Sequence, residues 1–285
     1  MLSYYIFTVL AFVSLALGHS WIDELTVVGV TGNQGVNEKG YPRNYKGHFD
    51  DYTSKILDFT APRPLCMKDQ TTPNTNTQQF PPLSAAPGSI IQAQYTENGH
   101  ITGPEERDNE TIPGYSSGLM YWYGWTDPAY QPTMQEVFLW TADGKGGNGK
   151  GRLLKDKVPY DNGVCAEANV KPISFQRIPQ LYEKLENGTD ILDAPLPRVN
   201  IPCTTQFQLP EDLAGPTYTV AWVWDYSTKA GHVAADPYAR KTNEWYTTCM
   251  DIKIKTPEPA PKFRRRHVRD RRHPRGFAGR WTERL

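Results

Sequence analysis

The sequence predicts an all-β fold, an antiparallel β-sandwich with long loops. Three observations predict it. Runs of β-branched and aromatic residues recur along the chain, each bounded by Gly, Pro, Asn or Asp. Twenty-four prolines and 23 glycines in 285 residues supply many turns. Only SFQRIPQLYEKLEN (174–187) invites a helix, and Pro179 interrupts it.

Taken in order, IDELTVVGV (22–30) reads as a strand closed by Thr31-Gly32-Asn33. GSIIQAQYTENG (88–99), GLMYWYGWT (118–126), QEVFLWTADGKGG (135–147) and PTYTVAWVWDYS (216–227) read as further strands. EWYTTCMDIKIK (244–255) alternates and ends the series. There is no internal repeat.

Residues 1–18, MLSYYIFTVLAFVSLALG, carry no charged side chain. They are too short and too close to the start for a membrane span. Ala16 and Gly18 put small residues at −3 and −1 of a cut after Gly18. This is a secretory signal peptide, and the expectation is a secreted, monomeric protein with no membrane span. The domain is expected over 19–255. The Pro-rich break TPEPAPK (256–262) starts a Pro/Arg-rich tail, 256–285, that reads as a solvated, disordered end.

Formal net charge is zero, but residues 261–285 carry ten Lys/Arg against two acids, so the rest of the chain is −8. An acidic body with a short basic end is not the footprint of a nucleic-acid-binding domain. Four cysteines, Cys66, Cys165, Cys203 and Cys249, predict two disulfides in an oxidising compartment, with three connectivities open. Asn109-Glu110-Thr111 and Asn187-Gly188-Thr189 are glycosylation sequons.

Of six histidines, His267 and His273 lie in the tail. His48 sits in a polar loop, NYKGHFDDY. A cut after Gly18 leaves His19 with a free α-amine, whose reference pKa near ~8 lets a metal displace its proton. Amine and Nδ1 then chelate one ion, a pairing that suits Cu(II). His100, in a Gly/Pro-flanked loop after a strand, supplies a second imidazole. On EWYTTC, Glu244, Tyr246 and Thr248 share one strand face. Tyr246 can offer its phenol to the metal, and Glu244 a proton-handling carboxylate.

His19 behind a leader, APGSIIQAQYTENGHITGP, YTVAWVWDYS and NEWYTTCMDI together resemble secreted fungal lytic polysaccharide monooxygenases over about residues 19–255. The resemblance implies an immunoglobulin- or fibronectin-III-like sandwich holding one copper in a histidine brace. His19 would give amine and Nδ1, His100 would give Nε2, and Tyr246 would lie axial with Glu244 beside it. It also implies a bridge from the Cys after that Tyr, so Cys66–Cys249 and Cys165–Cys203 are the expected pairs. His232, in KAGHVAADPYARK, would donate a proton near bound oxygen or replace His100 as ligand. GYPRNY (40–45) and the His232 segment have no counterpart in the familiar branches.

The implied activity is oxidative cleavage of glycosidic bonds in an insoluble, chitin- or cellulose-like polysaccharide. It would use H2O2 or O2 and an external reductant, and oxidise C1 or C4. A flat exposed surface would meet the polymer, with Tyr41, Tyr45 or Trp21 stacking on sugars, although Trp21 suits core packing better. MYWYGW (120–125) and WVW (222–224) would serve as routes for stray oxidising equivalents, or simply as core strands. Two other readings stand beside this one. A secreted copper-binding protein without oxygenase activity shares the terminal His and the sandwich. A metal-free cell-wall sandwich requires His19 and His100 to lie far apart. No carboxylate pair at a readable spacing suggests a glycoside hydrolase.

Overall fold

The computed structural model describes residues 20–29, 38–47, 55–57, 61–102, 117–169, 171–179, 200–226 and 244–255. Ten strands are β1 (Ile22–Gly29), β2 (Lys39–Gly40), β3 (Lys55–Ile56), β4 (Leu83–Ala85), β5 (Ile90–Tyr95), β6 (Leu119–Trp125), β7 (Gly151–Pro159), β8 (Cys203–Gln208), β9 (Thr217–Asp225) and β10 (Trp245–Ile254). Two short helices, α1 (Met134–Val137) and α2 (Pro172–Arg177), complete the described elements with a 3-10 turn at Lys68–Gln70. Among the described residues no helix is long and apolar enough to cross a membrane.

The strands form two sheets, ordered β2-β1-β5-β8 and β3-β10-β9-β6-β7, with β4 also on β10. The fold is an all-β sandwich. All pairings are antiparallel except β4 on β10, which is parallel through Ile252↔Leu83 to Ile254↔Ala85. Gly40 allows β2 to approach β4, because a Cβ there would lie 2.1 Å from the Leu83 backbone nitrogen.

The four-stranded sheet alternates. Leu25, Val27, Ile91, Ala93 and Phe207 point inward, while Thr26, Gln92 and Gln206 point out. The six-stranded sheet is buried on both faces, so β9 and β10 read as near-continuous buried runs. Trp122, Trp222, Trp224, Tyr246 and Met250 face the other sheet. Tyr123, Trp125, Val223, Trp245 and Cys249 face α1 and the 61–66 segment. The disulfides are Cys66–Cys249 and Cys165–Cys203. The first anchors the 61–71 segment to β10, and the second ties residue 165 to the start of β8.

QEVFLWT is not a strand. Thr133 Oγ1 accepts from Glu136 N at 3.3 Å and Glu136 Oε2 accepts from Thr133 N at 2.7 Å, a capping box that opens α1. Met134 and Val137 are buried by that turn, while Leu139 is left 64% exposed. The helix expected over 174–187 is α2, which ends before Pro179 as the ring requires; residues 180–187 lie outside the described residues.

Candidate metal centre

Three chain segments meet at one end of the sandwich: residues 20–22, the turn 97–102 and the start of β10. The turn follows from Glu97-Asn98-Gly99, in which Asn98 and Gly99 adopt left-handed φ of 47° and 79°. The buried Glu97 carboxylate accepts Thr102 N at 3.1 Å and Glu167 N at 3.2 Å, and also the Ile101 amide and the Thr102 hydroxyl. His100 N donates to Glu97 O at 3.0 Å and Ser117 Oγ to His100 O at 3.1 Å. The backbone carrying His100 is thus fixed on both sides.

The His100 imidazole, 6% exposed, stands edge-on to Trp224 and Tyr226 at 4.7 and 4.5 Å. Tyr246, the second residue of β10, stacks on Trp224 at 4.9 Å, and its ring centroid lies 6.4 Å from that of His100. Its hydroxyl donates to Glu244 Oε1 at 2.6 Å. Lys55, opposite Tyr246 in the β3–β10 register, reaches the same oxygen at 2.8 Å and stands 5.8 Å from the Tyr246 ring centroid. The carboxylate therefore meets both a cation and a phenol.

The β1 entry is pinned beside this cluster. Ser20 Oγ donates to Thr96 O at 2.9 Å, and Ile22 N donates to Thr248 Oγ1 at 3.2 Å. Tyr160, stacked 3.9 Å from Trp224 and with its ring centroid 6.4 Å from that of His100, donates its hydroxyl to Thr96 O at 3.2 Å, the carbonyl that also accepts Ser20 Oγ. Burial pushes the Tyr160 phenol well above its ordinary value, so it is a neutral donor.

Of the expected site residues, His100, Tyr246 and Glu244 come together. His19, His48, His232, Asn109 and Asn187 lie outside the described residues. Among the described residues no three His, Cys, Asp or Glu side chains converge as a metal-binding group, and His100 is the one histidine. Tyr45 is not an exposed stacking ring. It is buried, with its hydroxyl donating to Asp23 at 3.1 Å. Trp21 and Tyr41 are half-buried. Lys55 and Glu97 were missed in the sequence. Glu97 sits three residues before His100, spacing that suits a carboxylate cap, whereas nothing local marks Lys55.

The family profile for a domain of unknown function, DUF7492, matches residues 16–273. No curated protein sequence matches the chain. Among solved structures, a cellulose-active polysaccharide monooxygenase from M. thermophila is similar at 15% identity, covering 85% of this chain and 82% of its own, with a TM-score of 0.35. CvAA9A is similar at 13% identity, covering 83% and 78%, with a TM-score of 0.28. Cel61B of Hypocrea jecorina, a glycoside hydrolase family 61 member, is similar at 14% identity, covering 84% and 82%, with a TM-score of 0.28.

Proposed function

The chain belongs to the DUF7492 family, a domain of unknown function, and we propose that it is a secreted copper-dependent polysaccharide monooxygenase. The observation that carries this reading is the meeting of His100 and Tyr246, ring centroids 6.4 Å apart, near the pinned start of the described chain, where Ser20 Oγ donates to Thr96 O and Ile22 N to Thr248 Oγ1. If the leader is cut after Gly18, His19 would add an amine and a second imidazole. A nitrogen from His100 and a phenol from Tyr246, rings 6.4 Å apart, form a donor set suited to a transition metal.

His19 and His100 would hold the copper, with Tyr246 beside it. The bound ion would supply one-electron redox chemistry toward O2 or H2O2, with electrons from an external reductant. The chain's own residues do the rest. Glu97 holds the His100 turn, so the imidazole is presented in one orientation. Lys55 Nζ, 2.8 Å from Glu244 Oε1, holds the carboxylate in place. Glu244 accepts from Tyr246 Oη and is the group positioned to hold a proton there. Trp224 and Tyr226 wall the imidazole on two sides and exclude water from it.

The burial of His100 and the engagement of Tyr246 Oη by Glu244 favour a second reading, a secreted copper-binding protein of the same fold without oxygenase activity. Ascorbate-driven release of H2O2 and of oxidised oligosaccharides from chitin and cellulose separates the two. Oxidised products lost in His100→Ala support the enzyme. Copper binding with neither product supports the second reading.

A further inference from the structure

Strand β3 and the 61–71 segment flank a pocket of about 510 Å³. Three cations line it, Lys55, Arg63 and Lys68. Its apolar lining is Ile56, Leu57, Pro64 and Met67, with the Cys66 end of a disulfide. The described lining holds no carboxylate. Lys55 is engaged by Glu244, whereas the Lys68 ammonium has no acidic partner among the described residues. Leu57 is 57% exposed, an apolar side chain that an occupant of the pocket would cover.

The walls are fixed before anything binds. Leu65 N donates to Pro132 O at 2.9 Å and Met134 N to Arg63 O at 2.8 Å. Cys66–Cys249 joins the segment to β10, and Thr247 Oγ1 donates to Leu65 O at 2.6 Å. Gln70, fully buried, accepts Cys249 N at 2.8 Å and donates to Arg43 O at 3.1 Å. A buried ion pair stands behind it, Arg43 and Asp251, 0% and 1% exposed. Arg43 Nε and Nη2 donate to the two carboxylate oxygens at 3.0 and 2.7 Å. Its remaining contacts go to Gln70 O, Pro128 O and Thr219 Oγ1. The same carboxylate accepts Asn74 N at 3.0 Å. The pair fixes the 40–47 and 70–80 loops against each other, and through Gln70 it holds the chain that carries Lys68 and Thr71, both at the pocket.

We propose that this pocket binds a small organic anion, a carboxylate or sulfonate carried on an apolar body. Its volume is that of a small-molecule site, and such sites combine an apolar lining with a few charged or polar groups. Three cations without a described carboxylate select for negative charge. The apolar side chains reward an occupant that brings C–H surface. A bare inorganic anion would leave Leu57 and Met67 uncovered, and a neutral apolar molecule would bring no charge to Lys68. Fixed walls lose little freedom on binding. Lys55 is shared with the candidate metal centre, and binding here needs no metal.

The test is calorimetric titration of metal-free secreted protein with naphthoate, octanoate, the uncharged naphthamide and inorganic phosphate. Wild type should bind one carboxylate per chain. Naphthamide and phosphate should each bind at least about tenfold more weakly than the better carboxylate. Lys68→Gln should weaken carboxylate binding about threefold, the size of one exposed ion pair. Leu57→Ala should weaken it about threefold through lost apolar cover. Both positions are exposed, so thermal unfolding midpoints should match wild type. Tighter binding of naphthoate identifies an aromatic anion and tighter binding of octanoate an aliphatic one, and either supports the pocket. Failure of both carboxylates to bind overturns it. So does naphthamide or phosphate binding as tightly as the better carboxylate, or unchanged affinity in either variant.

Discussion

Replacing Arg43 by Met tests whether the ion pair under the 40–47 and 70–80 loops has the structural role assigned to it. Met fills much of the volume but supplies none of the donors. The substitution leaves the Asp251 carboxylate, 1% exposed, with Thr219 Oγ1 at 2.8 Å and Asn74 N at 3.0 Å as its remaining donors. Gln70 O and Pro128 O lose their guanidinium donor as well. Breaking a buried pair by removing one partner costs about 3–5 kcal/mol, because an uncompensated charge stays inside. For a domain of this size that is a fall in Tm of about 6–20 °C. Chemical unfolding under non-reducing conditions measures it. The double variant Arg43→Met/Asp251→Leu, which removes both charges, should recover at least half of the loss. A single variant within about 1 kcal/mol of wild type, or a double variant no better than the single, would refute the reasoning.

Four further outcomes are expected. Thr133→Ala removes one arm of the α1 capping box and should cost about 1 kcal/mol in chemical unfolding. Gly40→Ala drives a Cβ to 2.1 Å from the Leu83 nitrogen, and overpacking of this kind costs about 1–3 kcal/mol in the same assay. Tyr246→Phe deletes the 2.6 Å bond to Glu244, which Lys55 still holds, so the loss should be about 1 kcal/mol. The Tyr130 phenol is pushed from 10.0 up to about 12, by burial first and then by its bond to Glu136. Its folded value is raised, so its contribution is complete below pH 10.0 and is lost as pH rises toward about 12. Tyr130→Phe should flatten that alkaline limb, and unchanged alkaline unfolding in the variant would show that another group controls it.

The runs legible in the sequence were those buried on one or both faces. TYTVAWVWD and WYTTCMDIKI are continuous because α1 and the 61–66 segment cover the outer side of their sheet. IIQAQY alternates because its outer face is open. Strand β7, GRLLKDKVP, escaped notice because it is an edge strand with Lys155, Asp156 and Lys157 in its middle and Lys157 at a φ of 49°. The α1 turn was misread because its apolar run, QEVFLW, outweighed the Thr133/Glu136 cap three residues apart. The proximity of His100, Glu244 and Tyr246 follows from short-range placement: Tyr246 is on β10, Glu244 immediately precedes that strand, and His100 follows β5. Lys55 was not legible, since the ladder that brings it to Tyr246 is only two residues long. The Arg43–Asp251 pair spans 208 positions, and no local signal couples its members.

Calorimetric titration of Cu(II) into secreted protein that begins at His19, against the same protein with its α-amine acetylated, tests the central claim most directly. One ion per chain should bind the mature form. Acetylation removes the chelating amine, a direct ligand, and should weaken binding by more than the 10–100-fold (about 1.4–2.7 kcal/mol) typical of losing an outer-shell partner. Equal affinity of the two forms, or no binding by the form that begins at His19, would contradict a metal centre built on residue 19 and His100.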